Sequence, residues 1–286
     1  MLDGHKVNGL YGMIRTTLNA VKRIAPTHLF LVWDSSPLEN WRLKLFPNYK
    51  AHRKPKNEQE YADRKAIGMQ VDWAQEFFSY LPVHQLRYIG LEGDDLAYWI
   101  VRRLFGKSTP KRKFVCATID RDWLQLVRWD TKVFLTDLDY VVSLEDFRES
   151  TTEVIADLKG TEGIALADFL KFKQLVGDTS DGVPGAMGIG KKTALKFLSE
   201  NWTLEECAEA NEKVFRDYNQ VQLNRILFDL GCYPYTEHLD RVLKSLCQPS
   251  SDFRAAEKFL LRKRFTSVLV DWLEFVHYFE DLQIVE

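Results

Sequence analysis

The chain has 286 residues, of which 45% are hydrophobic and 28% charged, with a formal net charge of −2. These values fit an ordinary globular protein with room for one large or two modest domains. The four cysteines, Cys116, Cys207, Cys232 and Cys247, are too scattered for a thiolate metal site or a disulfide framework, and no apolar run is long enough to cross a bilayer. With no signal peptide to read, a cytosolic location with reduced thiols is expected, or a nuclear one in a source with a nucleus.

The small net charge hides local asymmetry. Leu10, Met13, Ile14, Leu18, Val21 and Ile24 recur at helical spacing and are stopped by Pro26. His28 to Trp33 is a continuous apolar run, which predicts a strand buried on both faces, and Asp34 follows it directly. Ile67, Val71, Ala74, Phe78 and Leu81 mark a second long helix, followed by a strand over Gln85 to Ile89. Glu92, Asp94 and Asp95 come next, at the start of a helix with Leu96, Ile100 and Leu104 on one face. A strand over Lys113 to Thr118 leads into Asp120 and Asp122, and a further strand spans Thr131 to Leu135. This alternation predicts a parallel α/β sheet.

Acids at a helix start can be plain decoration, because the helix dipole favours them. Here Asp34, Glu92/Asp94/Asp95 and Asp120/Asp122 each follow the carboxyl end of a predicted strand, the edge at which open α/β sheets bind ligands. Clustered carboxylates repel unless a cation neutralises them, and hard divalent ions such as Mg²⁺ suit all-oxygen sites. A metal site is therefore expected. Between Asp34 and the second helix, Arg42, Lys44, Lys50, Arg53, Lys54 and Lys56 are interleaved with Trp41, Phe46 and Tyr49. Basic residues neutralise phosphates and aromatics stack on bases, so this stretch is expected to contact nucleic acid rather than to be only a solvated loop.

Beyond about residue 160 the pattern becomes helical. Gly163 to Val176 predicts a helix, and a loop with Gly188-Ile-Gly190 leads to a helix opening on Lys191-Lys192-Thr193. Such a helix-hairpin-helix lets backbone N–H groups grip a phosphate without reading bases. Gly185 to Lys191 also fits the start of a P-loop, but Lys192 stands where Ser or Thr would hold Mg²⁺ and no strand precedes it. The windows Val214 to Leu230, Phe253 to Arg262 and Val268 to Phe279 are amphipathic and predict scaffold helices.

Taken in order, Trp33-Asp34, Phe46-Pro-Asn-Tyr49-Lys50-Ala-His-Arg53, Gly90-Leu-Glu92-Gly-Asp94-Asp95, Asp120-Arg-Asp122, Gly177-Asp178-Thr-Ser-Asp181 and Gly188-Ile-Gly190-Lys-Lys-Thr193 resemble the motifs of the 5′-nuclease family. That family comprises flap endonucleases, the 5′→3′ exonuclease domains of bacterial DNA polymerases and free-standing phage 5′-exonucleases. The resemblance runs from about residue 8 to about residue 200. It implies a PIN-like α/β core over 1–160 with a basic arch near 41–62, an H3TH (helix-hairpin-helix) subdomain over 161–245 and a helical segment over 246–286. It implies two Mg²⁺ or Mn²⁺ ions, the first bound or supported by Asp34, Glu92, Asp94 and Asp95. The second would be held by Asp120, Asp122, Asp178 and Asp181. Lys50 and Arg53 would face the scissile phosphate. Arg42, Tyr49, Lys54, Gly188, Gly190, Lys191, Lys192 and Thr193 would contact DNA, with K⁺ at the hairpin. The implied partners are DNA with a 5′ flap, nick or single-stranded 5′ end, or an RNA–DNA primer hybrid, and replication proteins, for a monomer without a membrane partner.

Two departures from the family pattern stand out. Asp3-Gly4 has the letters of the family's first metal-ligand motif but no strand in front of it, so the ligand role is not carried onto Asp3 and the first strand is expected to be missing. Gly182 replaces the usual Asn, which is expected to be a mild change. The competing expectation is a relative that binds DNA junctions without efficient cleavage.

Overall fold

The computed structural model describes residues 8–105, 113–233 and 249–283. Asp3, Gly4 and Cys247, and the side chain of Leu104, lie outside this description. The chain runs α1 (Asn8–Ile24), β1 (Phe30–Trp33), α2 (Arg42–Leu45), α3 (Glu58–Ser79), β2 (His84–Arg87), α4 (Gly93–Phe105), β3 (Phe114–Thr118), β4 (Thr131–Leu135) and β5 (Tyr140–Val142). It continues through α5 (Phe147–Val154), α6 (Leu166–Val176), β6 (Gly177–Asp178), β7 (Val183–Pro184), α7 (Lys191–Ser199), α8 (Leu204–Ala210), α9 (Glu212–Arg216) and α10 (Tyr218–Phe228). The last helices are α11 (Phe253–Arg262), α12 (Thr266–Leu269) and α13 (Trp272–Glu280). The amphipathic windows over 214–230 and 268–279 thus each break into two helices, at Asp217 and at Val270 to Asp271.

The contacts divide the chain into two compact, interleaved units. One comprises Met1–Trp33, Lys54–Tyr88 and Glu237–Glu286; the other comprises Asp34–Arg53 and Ile89–Thr236.

In the first unit, Leu10, Ile14, Leu18 and Val21 of α1 are buried against Ala74, Phe77 and Phe78 of α3 and Phe259, Phe275 and Phe279 of α11 and α13. The Phe275 and Phe279 rings stack at 4.3 Å, and each such buried side chain contributes about 1.5–3 kcal/mol. The first N–H groups of a helix have no partner within it. At α1 a buried glutamine of α3 meets that need, since Gln70 Oε1 accepts from Gly9 N at 2.8 Å and Leu10 N at 3.2 Å. The early turns of α3 carry mainly polar residues and stay exposed. Ile67, expected on the apolar face, is therefore 59% exposed. β1 pairs in parallel with β2, from Phe30↔His84 to Trp33↔Arg87. Burial of β1 on both faces was expected, yet each of its four residues is only half-buried; β2 is its one strand partner among the described residues.

In the second unit, β3 pairs in parallel with β4, and β4 pairs antiparallel with β5. The expected parallel pairings are present, but they fall in two separate sheets, one in each unit. α6 and α10 pack together, and α6 runs straight into the short β6–β7 hairpin. Gly177 at that junction has φ 79°, and a Cβ there would lie 2.2 Å from Gly185 N, so both the backbone angle and the close approach require glycine. Asn224 of α10 fixes the same hairpin. It is fully buried, and Nδ2 donates to Gln174 O at 3.0 Å and to Pro184 O at 2.8 Å.

Candidate metal centre and phosphate-binding residues

The second unit gathers its acids from four chain segments. Asp34 ends the 30–34 segment, and its Oδ1 accepts from Gly93 N at 2.7 Å, at the start of α4. The two strand-end loops are tied by Ser35 N donating to Leu91 O at 3.0 Å and Trp41 N donating to Gly90 O at 3.1 Å. Asp120 caps the 3-10 turn Arg121–Leu126 by accepting from Asp122 N at 2.8 Å. Asp178 Oδ1 accepts from Ser180 N at 2.8 Å, Ser180 Oγ at 2.6 Å and Asp181 N at 3.2 Å, closing a turn that presents Asp181.

The result is one carboxylate group: oxygens of Asp122, Asp178 and Asp181 all lie within 4.8 Å of one another. Its donors are all oxygen and carry three negative charges, a set that fits a hard divalent cation such as Mg²⁺ or Mn²⁺. Asp120, expected with these three, lies two positions before Asp122, is engaged as a cap and is outside the group.

The expected first ligand set is arranged differently. Asp34, Glu92, Asp94 and Asp95 do not form such a group among the described residues. Asp95 is buried with Arg42 in a bidentate pair, Arg42 Nη2 to Oδ1 at 2.8 Å and Nη1 to Oδ2 at 2.9 Å. Arg42 Nε donates to Leu227 O at 2.8 Å, and Nη1 also reaches Glu92 Oε2 at 3.3 Å. Arg42 was expected to contact DNA. At 1% exposure its guanidinium is engaged with these acids and with the Leu227 carbonyl of α10. Tyr49, also expected to contact DNA, is 5% exposed, and its hydroxyl bridges Glu92 Oε2 at 2.8 Å and Asp181 Oδ2 at 3.0 Å.

Lys50 and Arg53 do meet the acids. Lys50 donates to Glu92 Oε1 and lies 3.7 Å from Asp181 Oδ1. Its backbone has φ 53°, which costs a non-glycine residue about 1 kcal/mol, and Lys50 N donating to Asp181 O at 2.8 Å holds it there. Arg53 Nη2 donates to Ser180 O at 2.7 Å and Asp181 Oδ1 at 2.9 Å, while 47% of its side chain stays exposed. Lys54 belongs to the first unit and is exposed.

Sequence reasoning missed Lys173. It rises from α6 to donate to Asp122 Oδ1 and lies 3.0 Å from Asp178 Oδ2. Its one sequence signal is a lysine between the buried Phe172 and Leu175, five positions before Asp178.

The electrostatics follow from these contacts. Burial pushes Asp94 well above the ordinary carboxylate range and Asp95 adds to this; burial and Asp122 raise Asp120. Burial also raises Asp181, against the pull of Lys50. Burial disfavours the Asp178 charge, yet Lys173 and the Ser180 hydrogen bonds bring Asp178 down to about 2. Burial works against Lys173 too, but Asp122 and Asp178 outweigh it and raise its pKa, so it stays an ammonium.

At the hairpin, Gly188 has φ 81°, the left-handed region, whereas Gly190 is extended at φ −96° and serves as N-cap of α7. No side chain caps α7, which opens on Lys191, the exposed Lys192 and Thr193.

The comparisons with known proteins agree with this layout. The family model described as "5'-3' exonuclease, N-terminal resolvase-like domain" matches residues 1–156, and "5'-3' exonuclease, C-terminal SAM fold" matches residues 164–231. The chain belongs to the 5′-3′ exonuclease family. A 5′-3′ exonuclease of Bacillus subtilis is 28% identical over 238 residues, covering 80% of this chain and 74% of that protein. DNA polymerase I of Mycobacterium tuberculosis is 29% identical over 206 residues, covering 72% of this chain; the chain spans only 21% of that polymerase. The crystal structure of T5 D15 protein with metal ions shares the fold, with a TM-score of 0.66 at 18% identity over 93% of this chain and 91% of that one. The resolvase-like, PIN-type domain followed by a helix-hairpin-helix domain is thus the architecture of this chain.

Proposed function

We propose that this chain hydrolyses phosphodiester bonds near free 5′ ends of DNA or RNA primers, as a 5′→3′ exonuclease and flap endonuclease dependent on Mg²⁺ or Mn²⁺. The observation that carries the reading is the carboxylate group of Asp122, Asp178 and Asp181 with the charges of Lys50 and Arg53 at its Asp181 edge. Asp122, Asp178 and Asp181 would hold a divalent cation, which would supply an activated water and offset charge on the phosphate and the departing oxygen. A second ion would draw on Asp34, Glu92 and Asp94. Lys50 and Arg53 place fixed positive charge where negative charge builds up on the phosphate. Tyr49 and Arg42 hold Glu92, Asp95 and Asp181 in register and keep them from drifting apart by repulsion.

Duplex DNA would be held by the uncapped start of α7, with Lys191, Lys192 and Thr193 around it and Gly188 allowing close backbone approach. A K⁺ ion held by carbonyls of the hairpin would belong to this reading. Substrates with a 5′ flap, a nick or a primer hybrid, action as a monomer and association with replication proteins complete the proposal. No described helix is long and apolar enough to cross a membrane.

One observation favours a second reading, a relative that binds junctions without efficient cleavage: Asp95 is locked by Arg42 and Glu92 by Lys50, so the first ligand set is not assembled. Incubation with 5′-labelled flap DNA separates the two. The nuclease releases short labelled products with Mg²⁺ and none with EDTA; flap binding without products under either condition would establish the binder.

A further inference from the structure

Lys173 stands apart from the other bases of the site. It sits on α6, and its backbone carbonyl accepts from Gly177 N at the helix end. Its side chain is 11% exposed and enclosed on three sides, by Asp122, by Asp178 and by the face of the Phe228 ring 4.9 Å from Nζ. Two of these three neighbours belong to the carboxylate group.

From this placement we infer that Lys173 is a built-in counter-cation of the Asp122–Asp178–Asp181 group, which a divalent ion must displace or tolerate, so that Lys173 sets how tightly that ion binds. The inference rests on the metal reading above. Neutralising the group from inside has two consequences. Without metal, the ammonium relieves the repulsion among three carboxylates that would otherwise strain the Asp178–Asp181 turn. With metal, the ion either breaks the Lys173 pairs or sits beside a positive charge, and both weaken binding. The Phe228 face gives a displaced ammonium a nearby cation–π contact. Metal occupancy would then answer to the ambient concentration of the ion rather than being permanent.

The test is Mn²⁺ titration of the full chain by calorimetry, with Asp178→Asn as the control that assigns the heat to this group. Lys173→Met should bind Mn²⁺ about tenfold or more tightly than wild type, the scale on which residues behind metal ligands act. Lys173→Arg keeps the charge and should stay close to wild type. In EDTA, Lys173→Met should melt below wild type and gain more from added Mn²⁺. If Lys173→Met does not fold, Lys173→Gln is read the same way. Equal or weaker Mn²⁺ binding in the neutral variants would overturn the inference alone. No Mn²⁺ binding in wild type or variants would overturn the metal reading with it.

Discussion

Asp178→Asn is expected to lower cleavage of a 5′ flap by about a hundredfold or more, with little change in how the chain folds. The substitution separates the two jobs of this side chain. Oδ1 shapes the turn by accepting from Ser180 and Asp181, and the asparagine carbonyl can still do so. The charge is what it loses, and with it one donor of the three-carboxylate group. Against the effect of burial, Lys173 and the Ser180 hydrogen bonds hold Asp178 down at about 2, so the wild-type carboxylate carries its charge at neutral pH. Steady-state cleavage with a matched thermal melt is the measurement. A variant that cleaves within a few-fold of wild type would remove Asp178 from the site.

The largest effect on stability is expected at Arg42. Arg42→Ala leaves the carboxylate of Asp95 buried at 1% side-chain exposure without its bidentate partner, which costs about 3–5 kcal/mol. It also strands Leu227 O, the anchor of α10. Replacing the pair together, Arg42→Met with Asp95→Leu, removes the uncompensated charge and should recover more than half of the loss. Urea unfolding of the two singles and the double gives the coupling. An Arg42→Ala chain that is as stable as wild type but binds DNA poorly would instead return Arg42 to the DNA-contacting residues.

Much of this site was legible because its acids lie where strands end. Glu92, Asp94, Asp95, Asp120 and Asp122 announce themselves as clusters in the sequence, and Gly188 to Thr193 as a hairpin. What was not legible is which base neutralises which acid. Arg42 meets Asp95 across 53 positions, Lys173 meets Asp122 across 51, and Arg53 meets Asp181 across 128. A basic run reads the same whether its members face a phosphate or a buried carboxylate. Arg42, on α2, faces Asp95, Glu92 and the Leu227 carbonyl of α10, and Tyr49, in the turn beyond α2, faces Glu92 and Asp181.

The fold shows the same division. Helical spacing located α1 and the core half of α3, whereas Ile67 fitted the period and still ended exposed, since the polar early turns of α3 bury little around it. The apolar run at His28 to Trp33 gave a strand but not its burial, which depends on neighbours rather than on the run itself. The interleaving of the two units likewise depends on contacts distant in sequence, which local patterns do not carry.

The proposed nuclease activity depends on the carboxylates of Asp122, Asp178 and Asp181 holding the ion used in phosphodiester cleavage. The most direct test of this is a crystal of the chain soaked in Mn²⁺ and measured at the manganese absorption edge. An anomalous peak in contact with oxygens of these three aspartates is expected, and it should be lost in Asp178→Asn. A peak elsewhere, with Lys173 still paired to Asp122 and Asp178 and no peak at this group, would contradict that assignment.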